Sequence, residues 1–90
     1  MNVAESSLEV KSLRGLNLST AAALAATANK FTAHIMIGRG QHQVNAKSVV
    51  QLLILGAGPG SKLKLRAEGR DASEAVTAIR ALFQTQSPEQ

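Results

Sequence analysis

Ninety residues and 9.4 kDa, 44% hydrophobic and 18% charged, make one compact domain with an ordinary core and leave no length for a multi-domain enzyme. Two Phe and no Trp or Tyr argue against a protein that stacks bases or sugars on aromatic faces, and the lack of Cys excludes disulfides, thiolate metal sites and a Cys nucleophile. The formal charge of +4, ten Lys and Arg against six Asp and Glu, is scattered along the chain, so on charge alone it suits nucleic acid, an anionic membrane or an acidic protein.

Met1 to Ser6 is polar and is expected to be a flexible N-terminus, and 85–90 a flexible tail, leaving a single domain over 7–84. Leu8, Val10 and Ser12 alternate with Glu9 and Lys11, the pattern of a half-buried strand. Arg14 to Leu18 breaks that period as a loop. Ser19 or Thr20 is then placed to cap a helix whose Ala21, Leu24, Ala25 and Ala28 share one face, and small residues there let it sit close to a sheet. Phe31, Ala33, Ile35 and Ile37 alternate with Thr32, His34 and Met36 as a second strand. Gly38-Arg39-Gly40 supplies the hairpin turn into a short partner, Gln41 to Asn45, with Val44 inward.

Ala46, Val49, Val50 and Leu53 recur at helical spacing, and Gly56 fits a C-cap, so Val49 to Leu55 reads as a short helix. Leu63, Leu65 and Ala67 alternate with Lys62, Lys64, Arg66 and Glu68 as a further strand. In the last helix, Asp71 is expected as N-cap with Glu74 completing a capping box, and Ala72, Ala75, Val76, Ile79, Leu82 and Phe83 form the buried stripe. The order is βαββαβα. Its simplest packing is an α/β (α+β) open-faced sandwich, a four-stranded antiparallel sheet with three helices on one face.

Most chemical motifs fail on context. Gly56 to Lys62 is glycine-rich, but its spacing misses the phosphate-loop pattern, and it follows a helix and opens a strand where a phosphate loop does the reverse. His34 and His42 have no acidic or Cys neighbour in sequence to complete a metal sphere and read as surface residues. The element order raises RNA binding, yet the strands lack stacking aromatics and no Gly-x-x-Gly joins two helices, which leaves nucleic acid a minor alternative. No apolar run approaches the ~18 residues of a membrane span, and Met1 to Ser7 lacks the regions of a secretory signal, so a cytoplasmic domain without membrane insertion is expected. Ser48, beside Lys47 at a helix start, reads either as an N-cap or as a phosphoryl acceptor, whose charge of about −1.5 to −2 would suit a helix N-terminus.

Several segments carry a resemblance: Arg14-Gly15-Leu16, Ala21, Ala28, Phe31, Val44-Asn45-Ala46-Lys47-Ser48, Leu52 to Ala57, Gly60, Ala67-Glu68-Gly69, Asp71-Ala72, Glu74-Ala75 and Leu82-Phe83. Through them nearly the whole chain resembles HPr, the small phosphocarrier family of the bacterial phosphoenolpyruvate-dependent sugar phosphotransferase system (PTS). The resemblance implies the same open-faced sandwich. Family members carry Gly-Leu-His-Ala-Arg-Pro-Ala at the first loop, where the His takes a phosphoryl group from Enzyme I and passes it to Enzyme IIA. This chain reads Gly15-Leu16-Asn17-Leu18-Ser19-Thr20-Ala21, with Asn17 for the His and Ser19 for the Arg. The expectation is a non-enzymatic regulatory and docking module with no cofactor, in the manner of the catabolite-repression homologue of bacilli. In that likeness Ser48 is the phosphoacceptor, and Lys47, Val49, Val50 and Leu53 dock the partner. The implied partners are PTS proteins, an HPr kinase or a transcription regulator, with the chain a monomer or weak homodimer. A genuine phosphocarrier is the alternative.

Overall fold

The computed structural model describes residues 2–85. In chain order it contains β1 (Val3–Glu9), α1 (Leu18–Ala28), β2 (His34–Arg39), β3 (His42–Asn45), α2 (Val49–Leu55), β4 (Lys62–Glu68) and α3 (Ala72–Gln84). The strands form one antiparallel sheet in the order β1-β4-β2-β3, the βαββαβα open-faced sandwich expected from the pattern.

Period-two alternation drives the sheet's two-sidedness. On β4, Leu63, Leu65 and Ala67 are buried while Lys62, Lys64 and Arg66 face water. Ile35 and Ile37 do the same on β2, and all five meet Leu24, Leu52, Ile79 and Phe83 from the helices in one core. Each buried Leu or Ile contributes about 1.5–3 kcal/mol relative to exposure. Ala21, Leu24, Ala25 and Ala28 are the buried face of α1, and Gly56 ends α2 in the left-handed conformation, both as their spacing predicts.

Four local expectations need correction. Gly38 and Arg39 belong to β2, paired with Gln43 and His42, so the hairpin turn is Gly40-Gln41, and 31–33 precede the strand. β1 begins at Val3, not Leu8: residues 3–6, expected to be loose, pair with Glu68 to Leu65 of β4, so the domain starts before residue 7. The inward residues there are only Ala4 and Ser6, too weak a hydrophobic signal to read, and the ladder is completed by β4. Val10 and Ser12 are buried as expected but lie beyond the strand, with Val10 bonded to the turn at Gly60 and Ser61. Of the expected tail, Thr85 caps the C-terminus of α3, and 86–90 lie outside the described residues.

The other two corrections concern helix starts. α1 is capped by Asn17, with Ser19 and Thr20 inside the helix. Asp71 does stand at the N-cap of α3, but its side chain makes no cap bond and there is no box with Glu74. The carboxylate instead accepts from the backbone N–H groups of Thr32 (2.9 Å) and Ala33 (2.8 Å) at the entry to β2. Gly69 makes that approach feasible: at φ 140° it is bare of the Cβ that would lie 2.9 Å from the Ala33 Cα. The Thr32 N–H, foremost among the bonds to Asp71, holds the carboxyl below its ordinary range.

Candidate functional site

The first loop is held against the segment after α2. Leu16 donates its N–H to the Ala57 carbonyl at 2.8 Å, and Gly15, at φ 69°, lies so close that a Cβ would stand 2.6 Å from the same oxygen. That contact places Asn17 at the head of α1. Its Oδ1 accepts from the Thr20 N–H at 3.0 Å, and the Thr20 hydroxyl accepts from the Asn17 N–H at 2.9 Å, a reciprocal box that satisfies two otherwise free backbone donors. Ser19 is exposed on the first turn.

The Asn45 to Ser48 corner is built by short-range bonds. Asn45 Oδ1 accepts from the Lys47 N–H at 2.9 Å, the Asn45 N–H donates to Gln51 Oε1 at 2.9 Å, and Ser48 Oγ accepts from the Gln51 N–H at 3.2 Å. Ser48 is therefore the N-cap of α2, and it is half-buried. Lys47 is tethered: its Nζ donates to the Phe31 carbonyl at 2.7 Å, while its own carbonyl accepts from Asn29 Nδ2 at 3.1 Å. The ammonium thus fastens α2 to the end of α1.

Along α2, Leu52 and Leu55 enter the core, and Val49 packs half-buried against it. Val50 (67% exposed), Leu53 and Ile54 (70%) face solvent. Of the residues expected to dock a partner, Val50 and Leu53 are presented outward, whereas Val49 and Lys47 serve chiefly to seat the helix. Leu13, Leu18 and Ile54 escaped the sequence reading. Together with Val50 and Leu53 they make five of the six exposed large hydrophobic side chains among the described residues, all on the first loop, the start of α1 and α2. For Ile54 a signal existed: Leu52 to Leu55 are four consecutive apolar residues, and at 100° per residue a helix cannot turn all four inward.

His34 and His42 are exposed on β2 and β3, away from this face in the topology. Among the described residues no group of three His, Cys, Asp or Glu could hold a metal ion. No helix among them is long and apolar enough to cross a membrane.

Residues 4–85 match the family described as the PTS HPr component phosphorylation site. The HPr-like protein Crh of Halalkalibacterium halodurans is 40% identical over 80 residues, 89% of this chain and 95% of that protein. The phosphocarrier protein HPr of Treponema pallidum is 38% identical over 76 residues, 84% of this chain and 86% of its own length. Among solved structures, HPr-C-His from Thermoanaerobacter tengcongensis superposes with a TM-score of 0.88 at 36% identity, covering 91% of this chain and 92% of the other. With its strand order, its Asn45-Ala46-Lys47-Ser48 corner and these matches over nearly its full length, the chain belongs to the HPr family of the phosphotransferase system.

Proposed function

We propose that this chain is a non-catalytic HPr-like module that docks onto a protein partner through the first loop, the start of α1 and α2, and that Ser48 is its regulatory phosphoacceptor. The observation that carries the reading is Asn17. By the family resemblance it stands where family members carry the phosphorylated His, and an amide has no nucleophilic ring nitrogen with which to form a phosphoramidate. Its Oδ1 and backbone N–H are both engaged in the capping box, so the side chain serves the helix start. Ser19, in place of the family's Arg, brings no cation to the loop, and a phosphoserine ester there would lack the transfer potential for onward donation.

The docking half of the reading is supported by the apolar cluster. Five of the six exposed large hydrophobic side chains among the described residues lie on the first loop, the start of α1 and α2, segments joined by the Leu16–Ala57 bond and by packing of α1 on α2, more than the scattered exposure normal for a small domain. Arg14 is exposed on the same loop and would favour a partner with an acidic rim. The open sheet face, by contrast, interleaves Lys62, Lys64 and Arg66 with Glu5, Glu9 and Glu68, which disfavours a nucleic-acid backbone. By family resemblance the partners are PTS proteins, an HPr kinase or a transcription regulator, and no cofactor is required.

Incubation with ATP and an HPr kinase active on HPr is expected to add one phosphate by intact mass, and Ser48→Ala to abolish it. Failure of the unaltered chain to gain mass overturns the regulatory half. The names of relatives such as the phosphocarrier of Treponema pallidum favour a second reading, a working phosphocarrier. Acid-labile labelling from phosphoenolpyruvate through Enzyme I would establish that reading and remove the first.

A further inference from the structure

The open face of the sheet carries its charges in rows across the strands. Glu5 stands opposite Arg66, which bonds it at 3.0 Å and also bonds Glu68 at 2.9 Å. Lys62 stands opposite Glu9. The row between them breaks the pattern: Ser7 on β1, Lys64 on β4, Gly38 on β2 and Gln43 on β3. Lys64 has a hydroxyl on one side and a bare backbone on the other, and it makes no ion pair among the described residues.

The break coincides with a groove of about 340 Å³, walled by Glu5, Ser7, Met36, Gln43, Lys64 and Arg66 over Gly38. Glycine in a strand interior weakens the strand and often accompanies close approach of another backbone, here β3, and it leaves the outer face of the sheet bare at this point. A Cβ at Gly38 would stand 3.0 Å from the His42 carbonyl and 3.2 Å from the Gln43 Cγ, so a larger residue would both press on β3 and fill the groove floor. The volume is at the lower end of the range for small-molecule sites. Its two ends differ in charge. On the β3 side, Lys64 and Gln43 flank the bare Gly38 and offer an ammonium and an amide donor, and on the β1 side the Ser7 hydroxyl and the Glu5 carboxylate, already bridged to Arg66, offer acceptor oxygens.

We infer that this groove is a binding site, separate from the docking face, for a compact hydroxylated anion, its phosphate or carboxylate over Gly38 between Lys64 and Gln43 and its hydroxyls toward Ser7 and Glu5 on β1. The sequence shows the same break: Lys62-x-Lys64-x-Arg66 meets Glu5-x-Ser7-x-Glu9, three cations against two carboxylates with the middle cation unmatched. The inference does not depend on any phosphorylation at Ser48 or on the fate of Asn17.

The test is a two-dimensional amide NMR titration of the full chain with sn-glycerol 3-phosphate in one arm and glycerate in the other. Saturable shifts at Ser7, Gly38, Gln43 and Lys64 are expected in at least one arm, and the stronger arm identifies the preferred anionic group. Lys64→Gln should weaken that binding roughly tenfold, the scale of one lost charge-assisted hydrogen bond. Ser7→Glu should abolish it by placing a carboxylate opposite Lys64, with the spectrum outside the groove unchanged. Shifts that do not saturate in either arm, that survive both substitutions, or that centre on Asn17 and Ser48 overturn the assignment.

Discussion

The helices α2 and α3 divide the work of the molecule differently. α3 buries Ala72, Ala75, Val76, Ile79 and Phe83 on one face and presents Ser73, Glu74, Thr77, Arg80 and Gln84 on the other, so its hydrophobic period and its burial coincide. α2 has seven residues, six of them apolar, and the core takes up only Leu52 and Leu55 completely. Val50, Leu53 and Ile54 are surplus to packing. A helix whose apolar content matches its buried face is explained by the fold alone. One that carries more than the fold can bury needs a second surface to cover it, and on α2 that surplus joins Leu13 and Leu18.

Substitutions on α2 can break this contrast. Leu52→Ala removes a fully buried side chain and should cost about 2–5 kcal/mol in chemical denaturation, comparable with core positions of α3 such as Ile79. A cost below about 1 kcal/mol would mean that α2 is not anchored as described. Ser48→Ala removes the Oγ that accepts from Gln51 and should cost about 0.5–1 kcal/mol, read from the same transition. Ile54→Ser should change stability by less than about 0.5 kcal/mol, because its side chain is 70% exposed. A loss as large as that of Leu52→Ala would place Ile54 in the core and dissolve the surplus on which the comparison rests.

Legibility in the sequence followed the strength of the local signal. β4 and α3 were readable because their apolar residues recur at one clear period, and Gly56 because a left-handed helix end favours glycine. The start of β1 was not, because Ala4 and Ser6 turn inward with too little hydrophobic surface to register, and only pairing with β4 defines them. The cap of α1 was misplaced by two or three residues because Asn17, Ser19 and Thr20 all have capping side chains, and the choice depends on where Gly15 and Leu16 meet Ala57. At the candidate site, Ser48 and the Asn45 corner were legible as a contiguous motif. For Ile54 the run Leu52 to Leu55 shows that one of the four must face out but not which, and the outward direction of Leu18 was not legible, since both are fixed by which neighbours reach the core.

Asp71 shows how a correct position can hide a different role, and it separates the start of α3 from that of α2. Ser48 caps its own helix, whereas Asp71 turns away from α3 and ties the Thr32 and Ala33 N–H groups across 38 to 39 residues of chain. Bonds to the ionised carboxylate lower its pKa in the folded chain, so the unfolded chain binds the proton more tightly. The resulting stabilisation is complete above the ordinary carboxylate value of about 3.9 and is lost as pH falls through the lower folded value. Asp71→Asn keeps the shape and removes the titration. The unaltered chain should therefore melt higher than the variant at pH 6, with the gap narrowing progressively below about pH 4. A gap that stays constant down to the acid limit would show that the carboxylate's charge contributes nothing and that the Thr32 and Ala33 bonds act through shape alone.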